Sequence, residues 1–239
     1  MVAALEDPHT AGSASAALRR VGDAAVPLLA VAVAREGAAM RLPLVRAAAA
    51  AAAEHGLAVI EPALRDRDRV VVLAALDALV AADSIRIEAP DLLDGVFDDA
   101  AEHAARTLAA RTSPAASDSS LRRALEDETE LARRLVIAVL ALRHGDRVRD
   151  AVRVVDGADG QRRALGIEAL DVLISRSEAA IALPLVRRDL TPDEQAAALQ
   201  QVAPPARGPE QWLTDMTEDP ERVWRSPWLA LCARHASGG

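Results

Sequence analysis

The feature that most constrains this chain is a helical spacing of small apolar residues along almost its whole length. Alanine fills roughly a quarter of the positions, well above its usual share, and the other prominent residues, leucine, arginine and glutamate, also favour helices. Alternation with period two is rare, and no Asn-Gly hairpin turn occurs. Breaks recur roughly every 12 to 20 residues, as expected for short helices. The pattern predicts an all-α fold.

Several local signals predict where helices begin. Residues 191–194 place a threonine hydroxyl at the N-cap, proline at the first helical position and glutamate two positions later. The same spacing of an acceptor and a glutamate occurs at 175–178 and at 127–130, and 226–227 (Ser-Pro) predicts a further start. Glycines predicted to end helices are Gly22, Gly37, Gly56, Gly145 and Gly157.

These signals give a helix map over one predicted domain, 1–239, with irregular breaks expected at 112–118 and 203–208. The predicted helices are 11–21, 24–36, 40–54, 57–66, 69–82, 90–111, 119–126, 128–143, 146–156, 160–174, 177–187, 192–202, 209–217 and 221–235. Two rows of apolar residues are expected in the core. They are Leu131, Leu135, Val136, Val139 and Leu142 on one helix, and Leu165, Ile167, Leu170, Val172 and Leu173 on another.

Three segments resemble one another: 22–29, 56–64 and 177–185. Each consists of a turn, small apolar residues and a proline in the first turns of a second helix, and each follows an amphipathic helix. The first two prolines, Pro27 and Pro62, are separated by roughly the 34-residue period of helix-pair solenoids. Repeated helix pairs are therefore predicted.

With these units, their prolines and the Asp/Arg-rich turn at 65–69, the chain resembles the HEAT-repeat family. The second half resembles one subgroup more specifically, in the order of the segments 125–142, 162–173, 183–185, 212–213 and 228–233. That subgroup is the HEAT-like region of bacterial membrane proteins similar to nucleotide translocases and major-facilitator carriers, which often carry a cyclic nucleotide-binding domain. Over residues 11–235 the resemblance implies an α-α superhelix, a HEAT-like solenoid of about six helix pairs. It implies an interaction or regulatory module, and no transport or nucleotide-binding residue is carried over.

Charge and composition narrow the classes of function. The formal net charge is −8, and the isoelectric point near 5.2 argues against a general nucleic-acid binder. A single cysteine excludes a disulfide framework and a cysteine-rich zinc site. The apolar stretches are too short to span a bilayer, and the acidic pair Glu6 and Asp7 is unlike a signal peptide. We therefore expect a cytoplasmic location without direct membrane insertion.

The sequence contains only weak indications of a catalytic or metal-binding site. Asp99 and His103 share a helix face, which allows a metal ligand pair but is more typical of a solvated acidic face. Acidic residues at 126–130 are interpreted as negative charge favoured at a helix start. Cys232 is expected to be a small buried hydrophobe. No nucleophile elbow or phosphate loop occurs, so we expect no enzyme activity, metal or cofactor.

Arginine pairs recur along the chain and have two interpretations. They are Arg19-Arg20, Arg122-Arg123, Arg133-Arg134, Arg162-Arg163 and Arg187-Arg188. Stacked on one face, they would form a basic stripe for a phosphate or acidic partner. The simpler interpretation is exposed arginine matched by nearby carboxylates.

The aromatic residues cluster near the end of the sequence, at Trp212, Trp224 and Trp228, with Phe97 alone elsewhere. One interpretation is a cap that covers the last helix pair. The other is a partner anchor formed by Trp224, Arg225 and Trp228, because tryptophan and arginine dominate binding hot spots.

Together these observations predict a non-enzymatic HEAT-like scaffold that binds a protein or a neighbouring domain, with a membrane transporter-like domain as one such partner. The alternative is a HEAT-like DNA glycosylase, a nucleic-acid repair enzyme. A glycosylase site needs aromatic side chains beside a carboxylate, together with a row of basic residues. A continuous positive potential on the concave face of the solenoid would favour this alternative.

Overall fold

In a computed structural model, the chain is described over residues 2–5, 7–35, 38–51, 57–81, 90–157, 160–203, 207–219 and 222–238. Every regular element in these ranges is helical, which confirms the all-α prediction. The α-helices are α1 (Pro8–Val21), α2 (Val26–Arg35), α3 (Ala38–Ala51), α4 (Leu57–Ala63), α5 (Arg69–Ala81), α6 (Pro90–Arg111), α7 (Ser119–His144), α8 (Asp146–Gly157), α9 (Gly160–Leu173), α10 (Arg176–Val186), α11 (Pro192–Ala198), α12 (Pro209–Glu218) and α13 (Pro227–Ser237). Short 3₁₀ turns cover Val2–Leu5, Gly22–Ala25, Pro114–Ser117 and Gln200–Val202.

The chain divides into two compact units, Met1–Val96 (unit 1) and Phe97–Gly239 (unit 2). The boundary falls inside α6, and neither of the predicted breaks, 112–118 and 203–208, coincides with it. A single domain over 1–239 and an α-α superhelix both stay predictions. Gly37, Gly56 and the predicted helix end at 52–54 lie outside the described residues.

In unit 1, α3 packs against α1, α2 and α5. Its interior positions include Leu44 and Ala47, which are fully buried. Arg41 of α3 forms an ion pair with Asp66 in the predicted Asp/Arg-rich turn after α4, with nitrogen and oxygen 2.7 Å apart. The Asp66 carboxylate also accepts from the backbone N–H of Asp68 at 2.9 Å. One side chain therefore shapes the turn and fixes it to α3.

In unit 2, α7 is the central helix and packs against α8, α10 and α13. It runs unbroken from Ser119 to His144, so the predicted division into helices at 119–126 and 128–143 is wrong. The helix starts instead at Asp118, whose side chain accepts from the N–H groups of Ser120 and Leu121, both at 2.9 Å. The acidic residues at 126–130 therefore lie within the helix, and their interpretation as charge at a helix start is also wrong.

Most of the predicted helix ends are confirmed. Capping boxes form at Ser175 and at Thr191, each with a glutamate three residues later. Gly22 and Gly145 take positive φ angles of 61° and 84°, as glycine can at the end of a helix. The last helix begins at Pro227, as the Ser226-Pro227 signal predicted, and the Ser226 hydroxyl accepts from the N–H of Leu229 at 3.3 Å. The start at 221 in the helix map is therefore wrong.

The core rows are confirmed in part. On α7, Leu135, Val136 and Val139 are buried as predicted. On α9, Leu170 is fully buried, but Leu165 and Val172 are 59% and 85% exposed, so their assignment to the core is wrong.

The backbone of α9 approaches α8 closely at Gly166. A Cβ atom at this position would stand 2.9 Å from Val155 Cγ2 and 3.1 Å from the backbone oxygen of Ala151. Only glycine fits this approach without a shift, because real Cβ atoms do not come so close to such neighbours. The glycine thus fixes the spacing of the α8–α9 pair.

None of the described helices combines the length and apolar character that a bilayer crossing requires.

Candidate functional site

The turn before α13 is organised by the carboxylate of Asp219. This carboxylate accepts from three backbone N–H groups, those of Val223, Trp224 and Arg225, at 2.7, 3.0 and 2.9 Å. Asp219, Arg222 and Arg225 take positive φ angles of 40°, 54° and 56°. Such conformations cost L-residues roughly 1 kcal/mol or more each, and the charge-assisted hydrogen bonds offset that cost.

The turn directs Trp224 into the core. Its side chain is 2% exposed and packs edge-to-face on Trp212, with ring centroids 6.0 Å apart. The ring of His103 lies edge-on at 6.2 Å. The expectation that Trp224 anchors a partner on the surface is therefore corrected: this indole helps to join α12 and α13 to the rest of unit 2, as the cap interpretation requires.

Arg225 and Trp228, the other two residues of the predicted anchor, lie in different surroundings. Arg225 forms an ion pair with Asp99 at 3.3 Å and donates from Nε to the carbonyl of Arg222 at 2.9 Å. Trp228 is 57% exposed in the first turn of α13. Leu231, one turn later, is also largely exposed, and its spacing three residues from Trp228 was the available signal that the two share a face. Trp228 and Leu231 are the α13 surface.

A buried polar pair joins α6 to α7. Nε2 of His103 lies 2.9 Å from Oε2 of Glu128, and the His103 side chain is fully buried. Next to it, the hydroxyl of Thr129 donates to Leu125 O at 2.7 Å, and its oxygen lies 3.2 Å from the hydroxyl oxygen of Thr107. The interpretation of His103 as part of a solvated acidic face is therefore wrong, because the residue is a polar contact inside the helix packing.

Glu178 forms a second polar centre between α7 and α10. Its carboxylate contacts Arg143 Nη1 and His144 Nε2, both at 2.9 Å, and accepts from the N–H of Ser175 at 2.9 Å. Burial raises the pKa of Glu178, but the hydrogen bonds from Ser175, Arg143 and His144 outweigh it and lower the pKa to about 2. The side chain stays ionised and ties the start of α10 to the end of α7.

The simpler interpretation, exposed arginine matched by carboxylates, is confirmed in part: some of the described arginines pair with carboxylates, but Arg133 is buried and Arg122 donates to backbone carbonyls. Arg133 Nη2 lies 2.7 Å from both oxygens of Asp156, and Arg188 shares this carboxylate at 3.4 Å. Arg187 pairs with Asp189 at 2.6 Å. Arg122 donates to the carbonyls of residues 116 and 117. The charges that suggested a basic stripe are therefore engaged within the chain at these positions.

The single cysteine of the chain lies inside α13. Cys232 is buried, which confirms its prediction as a small hydrophobe, and burial raises the pKa of its thiol. Within the described ranges, no three His, Cys, Asp or Glu side chains are grouped closely enough to hold a metal ion.

An apolar groove runs along the exposed side of the α8–α9 pair, with a volume of about 660 Å³. The groove is lined by residues of both helices, most of them apolar, and Gly166 is one of them. Leu165 and Val172, the two residues expected in the core, border the groove and project from it. Sequence reasoning missed this groove because it assigned both residues to the interior. The lining residues are Arg147, Asp150, Ala151, Val154, Leu165, Gly166, Glu168, Ala169, Val172 and Leu173.

The described part of the chain is all-helical, and its exposed apolar side chains include those of the α13 surface and of the α8–α9 groove, as well as Leu28 and Val31 on α2. No family model, curated protein or solved structure matches this chain.

Proposed function

We propose that the chain is a non-enzymatic, HEAT-like helical scaffold that binds a protein or a neighbouring domain through the α13 surface. The observation that carries the proposal is the exposure of Trp228 beside Leu231 on α13. Tryptophan combines a large apolar area with one hydrogen-bond donor, and burying it at an interface typically contributes a large share of the binding energy.

The surroundings of Trp228 suit a docking site. The turn that precedes α13 is held by three hydrogen bonds to Asp219, and Trp224 fixes it to the core from inside. A rigid support means that little conformational entropy is lost when a partner orders Trp228. Arg225, already oriented by Asp99, adds a cation at the rim, where charge contributes to the choice of partner.

The experiment is affinity capture with the 239-residue chain and with the double variant Trp228→Ala/Leu231→Ala. The matched control is Leu28→Ala, which removes an exposed leucine from unit 1 (72% exposed). A captured protein is then purified, and its dissociation constant is measured with all three chains. We expect binding at least about tenfold weaker for the double variant and unchanged for the control.

Thermal unfolding separates binding from folding in this experiment. Because both side chains are mostly exposed, the double variant is expected to keep the melting temperature of the parent chain. Equal affinity in the parent and the double variant contradicts the proposal. Capture of a DNA duplex in place of a protein would favour the glycosylase alternative.

A further inference from the structure

We infer that the α13 surface binds an acidic amphipathic helix, that is, a partner segment with aspartate or glutamate beside large apolar side chains. This inference rests on the proposed function and names the chemistry of the partner. The charged side chains around Trp228 and Leu231 are opposite in sign to the net charge of the chain, which is −8.

The segment that carries the α13 surface is basic. Residues 222–238 contain no aspartate or glutamate, and their charged side chains are those of Arg222, Arg225 and Arg234, with His235 one residue later. Over the whole chain, in contrast, 36 acidic residues outnumber 28 basic ones. The exposed apolar pair of α13 is therefore flanked in sequence by cations alone.

Helical spacing places Arg234 and His235 next to Leu231. They follow it by three and four residues, and residues at these spacings are neighbours on the surface of a helix. Both are exposed. Nε of Arg234 donates to the carbonyl oxygen of Ala230 at 3.2 Å, so the guanidinium group folds back along α13 instead of extending away from it. A cation thus borders the apolar pair at its C-terminal end.

The turn before α13 supplies the cations at the other end. Arg225 donates to the carbonyl oxygen of Arg222 and forms its ion pair with Asp99. Arg222 is exposed and, like Arg234, makes no ion pair with any residue that the structure describes. One guanidinium group on each side of Trp228 and Leu231 is therefore open to a partner.

The polar groups that this surface presents are donors. The guanidinium group of arginine and the indole N–H of tryptophan donate hydrogen bonds and accept none. The carboxylates of Asp99 and Asp219 are engaged by Arg225 and by three backbone N–H groups, respectively. Glu218, at the end of α12, is exposed and offsets part of the positive charge. A partner must supply acceptors, and carboxylates form the strongest and most directional pairs with arginine.

A helical protein segment fits these features better than a membrane does. Two exposed apolar side chains are a small area to insert into a bilayer, and a net charge of −8 opposes approach to anionic lipid. The described elements include no strand, so pairing of a peptide with a sheet edge is not available in this part of the chain. An amphipathic helix laid along α13 is the recognition mode that remains.

The probe is a fluorescently labelled helical peptide of about 15 residues composed of alanine, leucine and glutamate. Two leucines stand four residues apart at its centre, and glutamates lie on both sides of them. A second peptide has lysine in place of each glutamate. Anisotropy titrations measure both with the 239-residue chain and with Trp228→Ala/Leu231→Ala.

We expect the acidic peptide to bind with a dissociation constant of about 0.1–1 mM, because the contact is small. The Trp228→Ala/Leu231→Ala variant is expected to lose this binding. The lysine peptide is expected to show no binding that depends on Trp228 and Leu231. Raising the sodium chloride concentration from about 0.05 to 0.3 M is expected to weaken the acidic complex at least about threefold.

Neutralising the two open arginines tests the role of charge. Arg222→Gln/Arg234→Gln is expected to weaken binding of the acidic peptide at least about fivefold. The matched control, Arg147→Gln/Arg176→Gln, removes the same charge from two exposed arginines and is expected to bind like the parent. Melting temperatures are expected to change little in both variants.

The control residues lie far from the α13 surface. Helix α13 packs near the start of α7, at Leu121 and Leu125. Arg147 follows the end of α7, and Arg176 lies beside Glu178, which contacts that same end. The two ends are about 30 Å apart along the helix, so the control reports only the change in net charge.

The outcomes separate this inference from the proposed function. An acidic peptide that does not bind the parent chain, that binds Arg222→Gln/Arg234→Gln equally well, or that binds without Trp228 and Leu231 overturns the inference. The proposed function is then decided by the capture experiment, in which a partner can depend on Trp228 and Leu231 without any preference for acidic residues. Vesicles of phosphatidylserine and phosphatidylcholine are the third probe. Binding of the parent chain to these vesicles but not to the acidic peptide overturns the inference in favour of a membrane.

Discussion

At the scale of single residues, Glu178 shows how one buried charge stabilises the helix packing. Its carboxylate is the N3 partner of the Ser175 capping box and also contacts Arg143 and His144 at the end of α7. A buried carboxylate with this many donors is more stable charged than neutral, which is why its pKa falls to about 2. The residue therefore links stability to pH.

Glu178→Gln is expected to lower the free energy of unfolding by about 2–3 kcal/mol at neutral pH. The folded-state pKa of about 2 lies below the ordinary value of 4.5. The stabilisation is thus fully present above pH 4.5 and is lost as the pH falls toward 2. Urea unfolding of parent and variant at several pH values measures the difference, which is expected to shrink by about half near pH 3. A difference that does not change with pH contradicts this assignment.

The apolar residues of α9 differ in their contribution to stability. Leu170→Ala is expected to cost about 2–5 kcal/mol, because the side chain is fully buried and leaves a cavity. Val172→Ala on the same helix is the matched control and is expected to change stability by less than about 0.5 kcal/mol. Urea unfolding at neutral pH measures both variants. Similar losses would show that Val172 is covered in the folded monomer.

Gly166→Ala is expected to destabilise the chain by about 1–3 kcal/mol, because the added Cβ forces α8 and α9 apart. Gly95→Ala, also inside a helix, meets no atom within 4 Å and is expected to stabilise it by up to about 1 kcal/mol through helix propensity. Melting temperatures of the two variants therefore move in opposite directions. A gain in both would contradict the close approach at Gly166.

At the scale of elements, the turn before α13 depends on one side chain. Asp219→Ala removes the acceptor of three backbone N–H groups and is expected to cost about 2–3 kcal/mol. Asp219→Asn retains one acceptor oxygen and tolerates the left-handed conformation, so a smaller loss is expected. Near-ultraviolet circular dichroism tests whether the packing of Trp224 changes with it. Equal effects of both variants would contradict the role of the carboxylate.

The sequence predicted most helices because their start and stop signals are local. Thr191 and Ser175 form their capping boxes, and Gly22 and Gly145 end their helices. The capping spacing at 127–130 predicted a helix start, but these residues lie inside α7. There the Thr129 hydroxyl donates to the carbonyl oxygen of Leu125, and Glu128 contacts His103. A capping motif predicts a helix start only where the chain is not already helical, which depends on distant contacts.

The exposed and buried apolar residues of α9 and of the turn before α13 were harder to predict for a related reason. α9 carries apolar residues on several faces, so its pattern does not show which face is covered. The burial of Trp224 depends on the turn at Asp219 and on Trp212, contacts that no local spacing reveals. Trp228 is exposed, and binding through it stays a prediction.

At the scale of the whole molecule, each of the two units has fully buried apolar residues of its own. Leu76 is fully buried in unit 1, and Leu125 is fully buried in unit 2. In hydrogen exchange measured by mass spectrometry, Leu76→Ala is expected to raise exchange chiefly in α1–α5, and Leu125→Ala chiefly in α7–α13. Equal increases throughout the chain for either variant would indicate a single cooperative unit.

The positions of the tryptophans make the two units optically distinguishable. All three indoles lie in unit 2, and the chain has no tyrosine. Fluorescence excited in the tryptophan absorption band therefore originates from unit 2 alone, while unit 1 is silent. Two of the emitters are enclosed and Trp228 is open to solvent, so a collisional quencher such as acrylamide reaches Trp228 first.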